Sequence, residues 1–237
     1  MAVRTVDPVR LLAVSDIHGN LAALESVLRD AGDFDAVVCV GDVVGYGPRP
    51  GECIGALSGL GFSCVLGNHD QAVISADTSG MNPYAAAAID IHRRLLNTGH
   101  TTWLQKLRKS LSMDEGGVRI AVFHGSPDHP TTEYVYPSEA QVRAGPFFEA
   151  TRADLLLLGH THVPYIHRYG GRVLLNPGSV GQPRDGIPHA SYMLIDLENG
   201  CVEVSHRRAP YDIEKTVEQM RLLSLPEPLA YRLFLGR

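Results

Sequence analysis

The segment "VRLLAVSDIHGN" (residues 9–20) sets a pattern that recurs along the chain. Residues 9–15 are an apolar run of strand length, long enough to cross a sheet and too short for a core helix. Gly19-Asn20 then opens a helix, because Asn is a strong N-cap and Leu21, Leu24, Val27 and Leu28 recur at helical spacing. Between the two elements, at the carboxyl end of the strand, sit Asp16 and His18. In open α/β sheets that edge is where ligands bind.

The unit repeats. "AVVCV" (36–40) is a second strand, followed by "GDVVGYGPRP" with Asp42. A glycine-interrupted helix over 53–60 leads to a third strand, "FSCVL" (62–66), followed by "GNHD" with Asn68, His69 and Asp70. The order β-α-β-α-β predicts a parallel sheet covered by helices. Two more helices are expected over 83–96, with Pro in the first turn, and over 101–109, which carries the only tryptophan. Strands then dominate, and the Gly116-Gly117, Gly170-Gly171 and Asn199-Gly200 pairs between them are hairpin signals. The expectation is a parallel first half and a largely antiparallel second half, forming two sheets packed face to face with helices outside. A helix over 212–223 is expected to lie against one sheet. Two later strands end as the first three do: "VRIAVF" delivers His124, and "DLLLL" delivers His160 and His162.

Composition narrows the function. A chain of 237 residues without a repeat, low-complexity tract or Pro/Ser-rich linker reads as one domain, residues 1–237. A net charge of -5 and no basic run argue against nucleic acid as the partner. The apolar runs are far shorter than the ~20 residues that span a bilayer, and the N-terminus lacks the apolar core of a signal peptide. A cytoplasmic protein is expected. Cys39, Cys53, Cys64 and Cys201 show neither C-x-x-C nor zinc-like clustering, and Cys39 and Cys64 read as small buried hydrophobes.

Any one of these polar pieces is weak evidence. Asp-x-His arises by chance, Gly-Asp is a common turn, and Asn-His-Asp can cap a helix. Five strand ends that each offer Asp, Asn or His directly after an apolar run are hard to explain without a metal to hold them. The series Asp16-x-His18, Gly41-Asp42, Gly67-Asn68-His69-Asp70, His124 and Gly159-His160-x-His162 resembles the calcineurin-like metallophosphoesterase family. The resemblance implies an α/β fold, a four-layer α-β-β-α sandwich of two mixed sheets, with a dinuclear metal site at strand carboxyl ends. It implies that Asp16, His18 and His162 bind one metal, that Asn68, His124 and His160 bind a second, and that Asp42 bridges them. With no thiolate among the donors, two divalent transition metals of the Mn, Fe, Zn or Ni kind are expected. Two such cations about 3.5–4 Å apart activate a bridging hydroxide for in-line attack on phosphorus. His69 would then donate a proton to the leaving oxygen.

The family's protein phosphatases carry Gly-Asp-x-x-Asp-Arg-Gly, where the second Asp orients the acid histidine and the Arg holds phosphate. Here those places are Gly45 and Tyr46. "GYGPRP" and "NPGSVGQPRDG" (176–186) resemble instead the short prokaryotic phosphodiesterase-like branch. A phosphomonoester dianion gains more from an extra Arg than a diester monoanion does. The substrate expected is therefore a small phosphodiester, with phosphomonoesterase or nucleotide phosphatase activity as the alternative and a metal-binding scaffold without turnover as a third reading. Arg49 and Arg184 are the candidates to restore a clamp. His92, His100, His129, His167, His189 and His206 lie outside the ligand pattern and read as surface or packing residues.

Overall fold

The computed structural model describes residues 7–60 and 62–237; the first six residues, part of the N-terminal reading above, lie outside the described residues. In chain order the elements are β1 (Val9–Val14), α1 (Leu21–Asp30), β2 (Ala36–Cys39), α2 (Pro50–Ser58), β3 (Phe62–Cys64) and α3 (Asn68–Ser75). They continue with α4 (Pro83–Leu95), α5 (Thr98–Gln105), β4 (Ser110–Glu115), β5 (Val118–Phe123), α6 (Pro137–Thr151) and β6 (Leu155–Leu157). The last are β7 (Tyr165–Tyr169), β8 (Arg172–Asn176), β9 (Ala190–Glu198), β10 (Cys201–Ala209), α7 (Ile213–Leu222) and α8 (Glu227–Leu235).

Two five-stranded mixed sheets form, in the orders β10-β9-β1-β2-β3 and β4-β5-β6-β8-β7. The period of two along each strand builds the layers. Leu11, Ala13, Val38 and Val40 of the first sheet meet Ile120, Val122, Leu155, Leu157, Val173 and Leu175 of the second in the central core. Their neighbours Leu12, Val14, Val37 and Cys39 face outward under α1 and α2. On the far side Ala121, Leu156, Leu158 and Leu174 pack beneath Ala140, Ala144, Phe147 and Phe148 of α6. The result is the expected α-β-β-α sandwich.

Three expectations are corrected. The second sheet is parallel at its centre: β5, β6 and β8 run together, and only β4 and β7 are antiparallel edges. The cause is α6, unread in the sequence because Pro146 interrupts its pattern; it supplies the crossover that a parallel β5-β6 pair requires. Helix α5 starts earlier than expected, at Thr98, where Asn97 caps it reciprocally with His100. Helix α7 packs through Val217 and Met220 against α4 and the unforeseen α8 rather than against a sheet. Among the described residues no helix is long and apolar enough to cross a membrane.

Candidate metal centre

The carboxyl ends of β1, β2, β3, β5 and β6 open on one cavity. The strand-to-loop turns there are sharp: Asp16, His18, Asp42, Tyr46, His160 and His162 all have positive φ, between 49° and 66°. A non-glycine residue in that region is uncommon and costs of order 1–3 kcal/mol, so the surrounding structure holds these turns in place. Glycine makes the approach of the loops geometrically feasible, since a Cβ at Gly67 would collide with the Asp42 carboxylate.

The ring nitrogens decide what the cavity accepts. A backbone carbonyl can only accept, so the nitrogen facing it carries the proton. His18 Nδ1 donates to Val44 O at 3.0 Å, His124 Nδ1 to Val40 O at 2.8 Å and His162 Nδ1 to Gln182 O at 2.6 Å. Each therefore points an Nε2 lone pair inward. His160 is reversed: its Nε2 faces Thr132 O at 3.2 Å and its Nδ1 faces the cavity. The inward nitrogens then confront one another, His18 Nε2 lying 3.1 Å from His162 Nε2 and His124 Nε2 lying 3.2 Å from His160 Nδ1. Asn68 Oδ1 is 3.2 Å from His124 Nε2. Between these pairs lie Asp16 Oδ1 and Asp42 Oδ2, both buried and without a hydrogen-bond partner. Acceptors facing acceptors in a buried pocket are unfavourable unless a cation or a proton lies between them. Metal-ligating histidines commonly donate their second nitrogen to a carbonyl or carboxylate in this way.

Three overlapping groups place their donor atoms within 4.8 Å of one another: Asp16, His18 and His162; Asp42, His124 and His160; and His18, Asp42 and His69. The residues present fit divalent cations. Their electrostatics agree. Burial works against charge on Asp16 and Asp42, yet His162 and His124 respectively are close enough to hold both below the usual carboxylate range. Burial likewise opposes charge on His124, but Asp42, with Oδ2 3.3 Å away, raises it to about 10. Without a cation a proton therefore sits on Nε2, on the inward lone pair that a cation would use in that proton's stead. The carboxylates thus demand positive charge at this point. Burial, with charged neighbours adding to it, lowers His160 to about 3 and His18 well below its ordinary value.

The calcineurin-like phosphoesterase superfamily model matches residues 9–200. The chain belongs to that superfamily. This metallophosphoesterase is 39% identical to a metallophosphoesterase from Sphaerobacter thermophilus whose crystal structure it matches with a TM-score of 0.84, over 98% of this chain and 100% of the other. It is 35% identical to the uncharacterized protein MJ0912 of Methanocaldococcus jannaschii, over 96% of this chain and 98% of that one. It is 28% identical to the Escherichia coli phosphodiesterase YfcE, over 79% of this chain and 87% of the relative. The protein is a hydrolase of phosphoester bonds, and the family uses divalent metal ions.

Around the donors, the metallophosphoesterase places four groups that sequence reasoning missed or left as packing. Asp70 does not orient His69; its carboxylate accepts the backbone N–H groups of Asp42, Val44 and Gly67 at 2.9, 3.1 and 3.0 Å. Burial and the Asp42 charge raise it to about 7. His92 is fully buried and holds the 45–47 turn, accepting from Gly45 N at 2.9 Å and donating to Gly47 O at 2.6 Å. Tyr46 stands with its ring 4.5 Å from both His18 and His69. Tyr134 stacks on His160 at 3.8 Å. For Tyr46 the signal was present: flanking glycines mark a close backbone approach. His69 Nδ1 is buried without a partner, against Gly45.

Of the two candidate arginines, the structure brings one to the site. Arg184 reaches Tyr46 Oη at 3.3 Å and Gln182 Oε1 at 3.1 Å. Arg49 is turned away, pairing with Glu52 at 3.2 Å beside a separate groove shared with α7. As N-cap of α2, it leaves the 45–48 turn pointing outward. The remaining histidines fit a packing or surface role, His100 capping α5 and His206 bonding Ser191 at 2.8 Å.

Proposed function

We propose that the protein hydrolyses a small phosphodiester with two divalent transition metals, manganese among them, in a cytoplasmic setting. In this reading Asp16, His18 and His162 hold one metal, Asn68, His124 and His160 hold the other, and Asp42 spans both. The observation that carries it is the confrontation of inward lone pairs across two gaps, 3.1 Å between His18 and His162 and 3.2 Å between His124 and His160, beside two orphaned carboxylate oxygens. One gap calls for one cation, and two gaps flank Asp42. The four cysteines are free, as a reducing compartment allows.

Bound there, two cations would neutralise phosphoryl oxygens and lower the pKa of water. The chain's own residues do the rest. Asp42 keeps Oδ2 available because its Oδ1 is already occupied by the His69 N–H at 2.9 Å. Arg184, braced by Tyr46 and Gln182, offers a guanidinium to a phosphoryl oxygen. It provides one cationic contact in place of the phosphatase clamp, which suits a diester monoanion. Burial lowers His69 to about 4, so at pH 7 it is neutral and would serve the leaving oxygen as a hydrogen-bond donor, not as a charged acid.

The test is reconstitution of metal-stripped protein with Mn²⁺, Ni²⁺, Zn²⁺ or Mg²⁺, assayed on a bis-aryl and a mono-aryl phosphate. The expected result is metal-dependent turnover, faster on the diester. Faster turnover of the monoester would establish the phosphomonoesterase alternative. Bound metal without turnover of either would establish the scaffold.

A further inference from the structure

Arg184 approaches the metal centre from the loop that joins β8 to β9, and its guanidinium is oriented there without being neutralised. It donates to Tyr46 Oη at 3.3 Å and to Gln182 Oε1 at 3.1 Å, both uncharged acceptors, and lies 5.9 Å from the centroid of the Tyr46 ring. A loop arginine has much rotamer freedom to lose, and the next residue, Asp185, is a ready counter-ion for it. Two elements from the end of the chain answer both difficulties. Arg208 of β10 pairs with the Asp185 carboxylate and donates to His189 O at 3.1 Å, so it clasps the loop at two points. The two side chains of that pair are only 15% and 17% exposed, which shields them from the screening that weakens surface ion pairs. At the end of α8, Gly236 O accepts from Gly186 N–H at 2.9 Å. Gly236 has φ at 62°, and a Cβ there would stand 2.6 Å from the Ile187 backbone, so the approach requires glycine. The same helix places Leu229 and Leu233 in the apolar cluster that includes Tyr46. β10, α7 and α8 all follow residue 200, where the match to the superfamily model ends.

We infer that Arg208 and Gly236 are positioning residues for Arg184, so that residues 201–237 set how the metal centre binds a phosphoryl group. Arg208 does two things. It fixes the course of residues 185–189, and it engages the carboxylate next to Arg184 in the chain, which leaves the Arg184 charge for a substrate oxygen. A guanidinium already held by neutral partners loses less freedom on binding an anion than a free one does. The inference rests on the proposed function for Arg184 as the phosphoryl contact, and on the loop geometry for how that contact is held.

Calorimetric titration of manganese-loaded protein with inorganic phosphate reads this contact without turnover. Arg184→Ala should weaken phosphate binding about tenfold or more, the worth of a charge-assisted hydrogen bond. Arg208→Ala should weaken it by a comparable factor with manganese content unchanged, and Arg208→Lys, which keeps a cation for Asp185, should restore most of the loss. In the Arg184→Ala background Arg208→Ala should have no further effect, because the two residues act through one contact. On a bis-aryl phosphate both single variants should raise KM with kcat little changed, the pattern of lost uniform binding. Gly236→Val, which presses on Ile187 from a different element, should weaken phosphate in the same direction and carries the test if Arg208→Ala does not fold. Unchanged phosphate affinity in Arg184→Ala or in folded, manganese-loaded Arg208→Ala overturns the inference, as does an equal loss from Arg208→Ala with and without Arg184. A protein whose phosphate affinity depends on both arginines but which hydrolyses neither diester nor monoester overturns the proposed function and leaves the positioning standing.

Discussion

His69 occupies a position where backbone and side chain do different work. Its N–H anchors Asp42 Oδ1 at 2.9 Å, while its ring has no carboxylate to orient it, because Gly45 stands where the family's phosphatases have Asp. The ring is held instead by packing between Tyr46 at 4.5 Å and His18 at 4.8 Å. His69→Ala keeps the backbone contact and removes only the ring. It should retain the metals and lose roughly 10²–10³-fold in kcat, the usual worth of a hydrogen-bond donor to developing negative charge, with the greatest loss on esters of poor leaving groups. Metal analysis beside a leaving-group series checks this; collapse of metal content would show instead that His69 is a ligand, as its grouping with His18 and Asp42 permits.

The loop from β2 to α2 is governed by two helices that lie after it in the chain. Helix α3 brings Asp70 to three backbone N–H groups around Asp42, and α4 brings His92 to both sides of Tyr46. His92 must be neutral to do so, since Nδ1 accepts while Nε2 donates, and burial lowers it to about 4 from an ordinary 6.5. The unfolded chain therefore binds more protons between those values, and stability rises with pH across that window. The contribution is fully present above about pH 6.5 and is lost as pH falls through about 4, amounting to about 3 kcal/mol. His92→Gln offers an acceptor and a donor without titrating. Urea unfolding of chelated protein from pH 7 to pH 4 should show the wild type losing about 3 kcal/mol more than this variant. Parallel slopes would remove His92 from the account.

At the scale of the whole molecule, the centre exists because two sheets are stacked with their parallel strands ending on the same edge. The first sheet supplies Asp16, His18, Asp42, Asn68 and His69, the second His124, His160 and His162. Cations bound between them would tie the sheets together in the folded state only. At free metal a hundredfold above Kd, each occupied site would add about 2.7 kcal/mol, which for a chain of this size is about 5–10 °C in Tm. Calorimetry with and without a chelator should show that shift, largest with the metal giving most turnover. An unchanged Tm would mean that the facing lone pairs bind nothing tightly.

The positions of the candidate donors were legible in the sequence because each follows an apolar run directly, and the end of a buried strand is a local property of the chain. The apolar runs over 9–15, 36–40 and 62–66 likewise marked three strands of the first sheet. The direction of the second sheet's centre was not legible, since Pro146 masked the crossover helix that makes β5 and β6 parallel. Nor was the choice of Arg184 over Arg49, two loop arginines of equal standing in sequence; one guanidinium reaches Tyr46 and the other Glu52 because of how separate loops dock. Asp70 acts on Asp42 and Val44, and His92 on Gly45 and Gly47, 26 to 47 positions away. The hydrogen bonds that set which imidazole nitrogen faces the cavity come from similarly distant carbonyls. Which residue types stand at the strand ends is written locally, while the direction each lone pair points is set by contacts that form only when both sheets have closed.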